Sequence, residues 1–440
     1  MSDETARYAA RRTRVLSALG DDAVLVLTAS PELRVGPDGE LRYVVDASLY
    51  YLTGYTEPEA VLVLGPANGD APFTLFVRAR DEERERWTGA RGGVEQAKER
   101  FGAHAAHSVE ALGEKLPDLL APTSTIYARL GAGRPEVDAV VLAVLERARR
   151  ARPRTGKGPR TLVDPGVLLD EMRLVKDAAE IEAIRTSARI TIETFREAAR
   201  AIRSGTPEYV VEAALEAGFR RRGADGPAFP SIVASGPNAV VLHYITNERV
   251  MEAGELVLLD AGARNAVYCA DLSRTFPVGG HFTADQRVLY DAVRAARDAG
   301  VAAAVAGATV DDVHIAAVRE LLAGLVELGC LDGPVDALLE PEREREIRAF
   351  YPHRTSHWLG LDVHDVGDYV VDGRSRALEP GMVLTVEPGL YIPTSAVAPA
   401  AALRGTGIRI EDDVLITPEG NEVLTAALPV AAAAVEALME

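Results

Sequence analysis

The chain reads as two domains, an α/β domain over residues 1–170 and an α+β domain over residues 171–440 with traces of an internal duplication. Three observations predict this. Apolar strand-like runs alternate with helical periodicity through the first third, the pattern of a layered sheet. The Arg-, Pro- and Gly-rich stretch RRARPRTGKGPR at 149–160 reads as a linker or solvated loop and sets the border near residues 155–175. Beyond it, two helical segments precede a pair of apolar strands and two more follow, a hint of a repeated unit.

A length of 440 residues exceeds one ordinary domain, and 48% apolar residues suffice for a large core. The net charge of −18 argues against nucleic acid and anionic membrane, which need a basic face. The N-terminus lacks the apolar core of a signal peptide, and no run reaches the ~18 apolar residues of a membrane span. The two cysteines, Cys269 and Cys330, form no CxxC pair, which excludes a disulfide scaffold and points to a reducing cytoplasm.

In chain order, residues 2–18 read as a helix and 23–28 (AVLVLT) as a strand. Strands follow at 60–64, 73–77 and 125–128, with helices over 81–101, 108–120 and 136–149. Residues 176–203 make one amphipathic helix, stopped by Ser204-Gly205. Thr206 caps the next, with Pro207 in its first turn, to about residue 223. A strand at 231–234 and an apolar, strand-like run at 240–244 carrying His243 lead to the stretch that the rest serves. This is LVLLDAGARNAVYCADLSRTFPV at 256–278, two buried strands joined by a short turn, with Asp260 and Asp271 facing each other. Thr283 and Thr309 then start helices running to about residues 306 and 328. VLTVEPG at 383–389 and GIRIEDDVLIT at 407–417 are the last strands. The period of two in the latter puts Arg409, Glu411 and Asp413 on one face, as an exposed edge would.

Carboxylates that end apolar strands are costly unless a cation meets them. Asp260, Asp271, Glu387 and Glu411 all lie on or beside such strands. Singly, each has a plain reading as a turn cap or an ion pair. Buried together without cations they would repel, and two divalent ions balance their four negative charges. YPHRTSHWLGLDVHDVG at 351–367 places His353, His357 and His364 in an otherwise apolar segment. Oxygen-rich ligation with one imidazole suits a hard or borderline ion such as manganese. Paired metals ~3.5–4 Å apart hold a bridging water, lower its pKa and polarise a carbonyl. That is a hydrolytic site.

The ordered series LDAG with a following Asp, HRTSHWLGLDVHDVG, VEPG and GIRIED resembles the pita-bread metallopeptidases, and among them the aminopeptidase P family most closely. LYYLTGYTEPEAVLVLG at 49–65 is similar to that family's N-terminal domain, and PSIVASGPNAVVLHY at 230–244 to the start of its catalytic half. The resemblance implies a pita-bread catalytic domain with pseudo-two-fold duplication, cleaving after the N-terminal residue of peptides whose second residue is proline. It implies two divalent ions, Mn2+ by preference: Asp260 on one, His357 and Glu387 on the other, Asp271 and Glu411 between them. His353 and His364 would act on the scissile carbonyl, with His243, Tyr391 and Arg409 binding substrate. Arg409 has a local logic too, since a fixed guanidinium offsets negative charge beside Glu411. A homodimer or homotetramer is implied, with Trp87 near a neighbouring subunit's site or else packed within its own domain. One departure stands out: relatives usually carry glycine after this histidine, where the chain has Arg354. Either the backbone there is ordinary, or the arginine is recruited to hold a peptide carboxylate.

A prolidase acting on Xaa-Pro dipeptides is the alternative within the same chemistry, although Ser356-His357-Trp358 looks more like aminopeptidase P. A non-catalytic pita-bread peptide binder and a metal-free hydrolase of amidino compounds both sit badly with a complete ligand set. For methionine aminopeptidases, the resemblance does not predict so large an N-terminal domain.

Overall fold

The computed structural model describes residues 3–36, 39–396 and 400–440. It divides into two compact units, Met1–Met172 and Arg173–Glu440.

The first unit is built on a six-stranded mixed sheet, ordered Ala105–Ser108, Phe73–Val77, Val61–Leu64, Ala23–Thr28, Thr125–Tyr127, Thr161–Val163. Its central pairs are antiparallel and its flanking pairs parallel. Val24, Val26, Val61, Val63 and Phe76 pack with Leu116, Leu120 and Val141 from the helices Leu112–Leu120 and Pro135–Thr155. Such continuous apolar runs belong to strands covered by helices.

Two expectations need correction here. The helix over 81–101 is two helices, Glu82–Thr88 and Gly93–Glu99, parted where Gly89 and Gly93 take φ of 91° and 69°. The supposed linker at 149–160 is largely the end of the helix Pro135–Thr155. Arg149 and Arg150 pair with Glu146 one turn back, and left-handed Gly156 closes the helix. The charge run is a solvated helix face.

In the second unit, the helices Ala178–Ala198 and Glu208–Arg221 precede an antiparallel sheet of Ile232–Ser235, Leu256–Asp260 and Ser273–Pro277. The helices Ala284–Ala303 and Val310–Glu327 then precede a second antiparallel sheet of Val383–Val386, Asp412–Thr417 and Gly420–Val423. Two helices followed by a three-stranded sheet thus occur twice. Asp177, Thr283 and Thr309 each form a capping box at their helix starts. At Glu208–Arg221 the cap position falls to Pro207 rather than Thr206, without a side-chain bond.

Three further differences matter for the site. The turn between Asp260 and Asp271 is not short: it holds a small hairpin, Ala263–Asn265 with Tyr268–Cys269. A Cβ on Gly262 at its entry would stand 1.7 Å from the Ala270 carbonyl oxygen, so only glycine fits. Residues 240–244 are no strand; the 3-10 helix Gly236–Val240 runs into a turn that carries His243. Residues 407–417 are two strands, because the chain changes sheets at Ile410-Glu411. Thr406–Arg409 pairs with Gly389–Ile392, and Asp412–Thr417 with Val383–Val386. Arg409, Glu411 and Asp413 are all buried, so this segment is not an exposed edge.

Candidate metal centre and active site

Register delivers the acidic side chains to one place. Asp260 ends its strand opposite Ser273, and the Glu411 N–H donates to the Ser273 carbonyl at 3.1 Å. The Asp271 N–H donates to the buried Asp413 carboxylate at 3.2 Å, joining the loop of one sheet to a strand of the other. His357 and Glu387 are set side by side by two bonds, Thr385 N–H to the His357 carbonyl at 2.9 Å and Glu387 N–H to the Thr355 carbonyl at 2.8 Å. Buried Trp358 stacks on Tyr369 at 5.0 Å and donates its Nε1–H to the Gly367 carbonyl, pinning the segment.

These elements open on a cleft of about 530 Å³. Asp260, Asp271, His357, Glu387 and Glu411 line it, as do His243, His353, His364 and Arg409. Tyr391, the remaining expected residue, stands behind His353 and Arg409 with its hydroxyl 2.8 Å from each. Phe229, Pro230, Leu242 and Ile245 provide an apolar wall.

The donor set fits divalent cations. One ligand atom from each of Asp271, His357 and Glu411 lies within 4.8 Å of the others. His357 Nδ1 is 3.0 Å from the Trp358 carbonyl, which only accepts, so Nδ1 carries the proton. The lone pair of Nε2 then faces Asp271 Oδ2 and Glu387 Oε1, each 3.5 Å away. A lone pair aimed at two carboxylates is repulsive unless a cation stands between them. Asp260 Oδ1 and Asp271 Oδ1 are buried with no hydrogen-bond partner among the described residues. Burial, and then the neighbouring Asp260, pushes the Asp271 carboxyl well above its usual range. Burial followed by Asp271 does the same to Glu411, and burial pushes Glu387 up to about 7.

A ring of polar groups surrounds the carboxylates. Arg409 donates from Nη2 to Asp260 at 2.5 Å, from Nε to Ser273 Oγ at 3.0 Å and from Nη1 to Tyr391 Oη at 2.8 Å. Burial, then the Arg409 charge, pushes His353 down to about 3, so it is neutral. Its Nδ1 meets the Arg354 carbonyl at 2.8 Å, which puts the ring proton there and leaves Nε2 to accept from the Tyr391 hydroxyl. The polar chain therefore runs Arg409 to Tyr391 to His353. His364 is also held low, by burial and then by His357, whose ring lies 4.2 Å away. Arg354 is not among the residues with positive φ, and its guanidinium pairs with Asp311. Its backbone is ordinary, and although the residue lines the cleft its guanidinium is engaged by Asp311.

Ser273 was not singled out by sequence reasoning, yet its hydroxyl donates to Glu411 Oε2 at 2.8 Å and accepts from Arg409. Only its place in the strand opposite Asp260 would have signalled it. Asp413, read as part of a charged face, lies behind Asp271 instead.

The model of metallopeptidase family M24 matches residues 182–418, and that of the aminopeptidase P N-terminal domain matches residues 8–127. The Xaa-Pro aminopeptidase of Escherichia coli K12 is 40% identical over 430 residues, covering 98% of this chain and 96% of its own. Human Xaa-Pro aminopeptidase 3 is 32% identical over 435 residues, 96% of this chain and 83% of its own. Among solved structures, Pseudomonas aeruginosa aminopeptidase PepP matches with a TM-score of 0.93 at 40% identity, over 99% of this chain and 98% of that one. Zinc-substituted Escherichia coli aminopeptidase P in complex with product gives 0.93 at 39% identity, over 100% and 98%. The second unit thus has the pita-bread architecture, and the chain belongs to metallopeptidase family M24, within its aminopeptidase P branch.

Proposed function

We propose that the chain is an Xaa-Pro aminopeptidase that hydrolyses the bond between an N-terminal residue and a penultimate proline, using two divalent ions. The observation that carries this is the meeting of four carboxylates and one imidazole lone pair on one wall of a peptide-sized cleft. Asp260 would hold one ion, His357 and Glu387 the other, with Asp271 and Glu411 shared. The oxygen-rich set favours manganese. Bound there, the ions supply an acidified water and polarise the scissile carbonyl.

The protein's own groups do the rest. Arg409 offsets charge beside Glu411 and Asp260 and steadies Tyr391. Tyr391 in turn fixes the neutral His353 ring on the proline side. His364 is exposed and faces the cleft, so a ring N–H can reach a carbonyl oxygen that gains negative charge. His243 stands at the rim for the peptide. Proline brings an apolar ring and no N–H, and the wall of Phe229, Pro230, Leu242 and Ile245 asks for no hydrogen bond.

We assign the N-terminal domain to residues 1–170 and catalysis to residues 171–440, where every group above resides. Trp87 is 86% exposed among charged neighbours, which supports a homodimer or homotetramer that covers it. No helix among the described residues is long and apolar enough to cross a membrane. With few cysteines as well, we place the enzyme in the cytoplasm. Metal-reconstituted protein should cleave an Xaa-Pro-Yaa tripeptide after its first residue and spare Xaa-Ala-Yaa. Cleavage of the Xaa-Pro dipeptide alone would make it a prolidase, and no cleavage of either proline peptide would overturn the proposal.

A further inference from the structure

Glu208 is a fully buried carboxylate with no part in the metal centre. It opens the helix Glu208–Arg221, and five donors converge on it. Oε1 accepts from the Ser235 N–H and hydroxyl, both at 2.7 Å, and from Asn238 Nδ2 at 3.2 Å. Oε2 accepts from the Tyr244 hydroxyl and the Arg249 N–H, both at 2.9 Å. An ionised carboxylate has about four lone-pair sites, so this one is saturated.

All five donors belong to residues 235–249, the segment that carries His243 to the cleft. Ser235 and Asn238 precede His243, and Tyr244 and Arg249 follow it. One carboxylate therefore staples both ends of the loop. Near the tip, Val241 and Ile245 are 52% and 54% exposed, while Val240, Leu242 and Tyr244 rest against the core. Its other side-chain anchors lie at the base of the loop: Asn247 accepts from the Val233 N–H and donates to the Ser231 carbonyl, and the Arg249 guanidinium pairs with Glu255 and donates to Ser235 Oγ.

We propose that Glu208 is a positioning residue for His243: its carboxylate, bonded on both sides of the loop, sets where the imidazole meets the peptide. This rests on the reading that His243 contacts substrate. Glu208→Gln tests it sharply, because the amide turns one acceptor into a donor that faces donors.

The experiment measures kcat/KM on an Xaa-Pro-Yaa tripeptide for the metal-reconstituted full chain, with Glu208→Gln, His243→Ala and the double variant. Displacing an orienting group from a distance costs up to about 100-fold, and a loss of about tenfold or more is expected for Glu208→Gln. In the His243→Ala background the same substitution should cost less than about twofold, because the group it positions is gone. An equal loss in both backgrounds would show a merely structural role and overturn the proposal, as would no loss in the parent. Tyr244→Phe removes a single donor and should show the same dependence on background at smaller size. It carries the test if Glu208→Gln does not fold. If His243→Ala alone leaves kcat/KM unchanged, the substrate role of His243 fails, and the inference falls with it. That result differs from a harmful His243→Ala whose effect multiplies with that of Glu208→Gln.

Discussion

Replacing Tyr391 by phenylalanine removes one oxygen and leaves every proposed metal ligand in place. That oxygen accepts from Arg409 Nη1 and donates to His353 Nε2, each at 2.8 Å, in a position that is almost wholly buried. Burial pushes the phenol up to about 12, so it stays a donor throughout the working range. A bond to a charged group contributes about 1.5–3 kcal/mol and a neutral one about 0.5–1.5 kcal/mol, and no water replaces them easily at this depth. If about 2 kcal/mol of that sum orients His353 in the transition state, kcat/KM falls by about 30-fold. Metal content should be that of the parent. Steady-state kinetics on an Xaa-Pro-Yaa tripeptide with elemental analysis of the same samples measures both. Unchanged kinetics would refute the chain from Arg409 to His353, and loss of metal would show that Tyr391 supports the ligands instead.

His364→Ala should likewise retain its metal while losing most of its turnover, since its ring lies beside His357 without being assigned to an ion; metal loss in this variant contradicts that assignment. Asp365 lies buried against Arg173 Nη2 at 2.5 Å and Lys176 Nζ at 3.1 Å, so Asp365→Asn strands Lys176, leaves Arg173 with Asp362, and should cost about 3–5 kcal/mol in denaturant unfolding at pH 7. Burial alone would raise this carboxyl, but Lys176 and Arg173 hold it below its usual value. Its contribution is therefore complete above the ordinary carboxylate pKa and is lost as the pH falls through the depressed one, an acid dependence that the variant should lack. Arg354→Gly should leave the ratio of kcat/KM for a tripeptide over its C-terminal amide unchanged, because Arg354 is tied to Asp311; a lower ratio would restore the carboxylate clamp.

What could be read from the chain and what could not divide along physical lines. Asp260, Asp271, Glu387 and Glu411 stand out because ionised groups on apolar strands are anomalous wherever they occur. The three histidines of residues 351–367 stand out for a similar reason, as polar groups in an otherwise apolar segment. Ser273 and Glu208 do not, since a serine in a strand and a glutamate at a helix start are ordinary locally. Their importance arises only from partners far along the chain, Glu411 for the one and residues 235–249 for the other. Alternation cannot tell one strand from two, and so residues 407–417 concealed the change of sheet that turns Glu411 inward. Likewise the arginines at 149–154 look like a linker until Glu146, one turn earlier, gives them a helical partner.

The most direct test of the dinuclear centre is to count ions while Mn2+ is returned to metal-free protein. The wild-type chain should take up two ions, with tripeptide cleavage reaching its full value only at the second. Asp271→Ala and Glu411→Ala should each hold fewer than two and be inactive, because removing either shared carboxylate leaves two cations close together with less charge between them. A wild-type chain that saturates at one ion, or either variant with two tightly bound ions, would contradict this account.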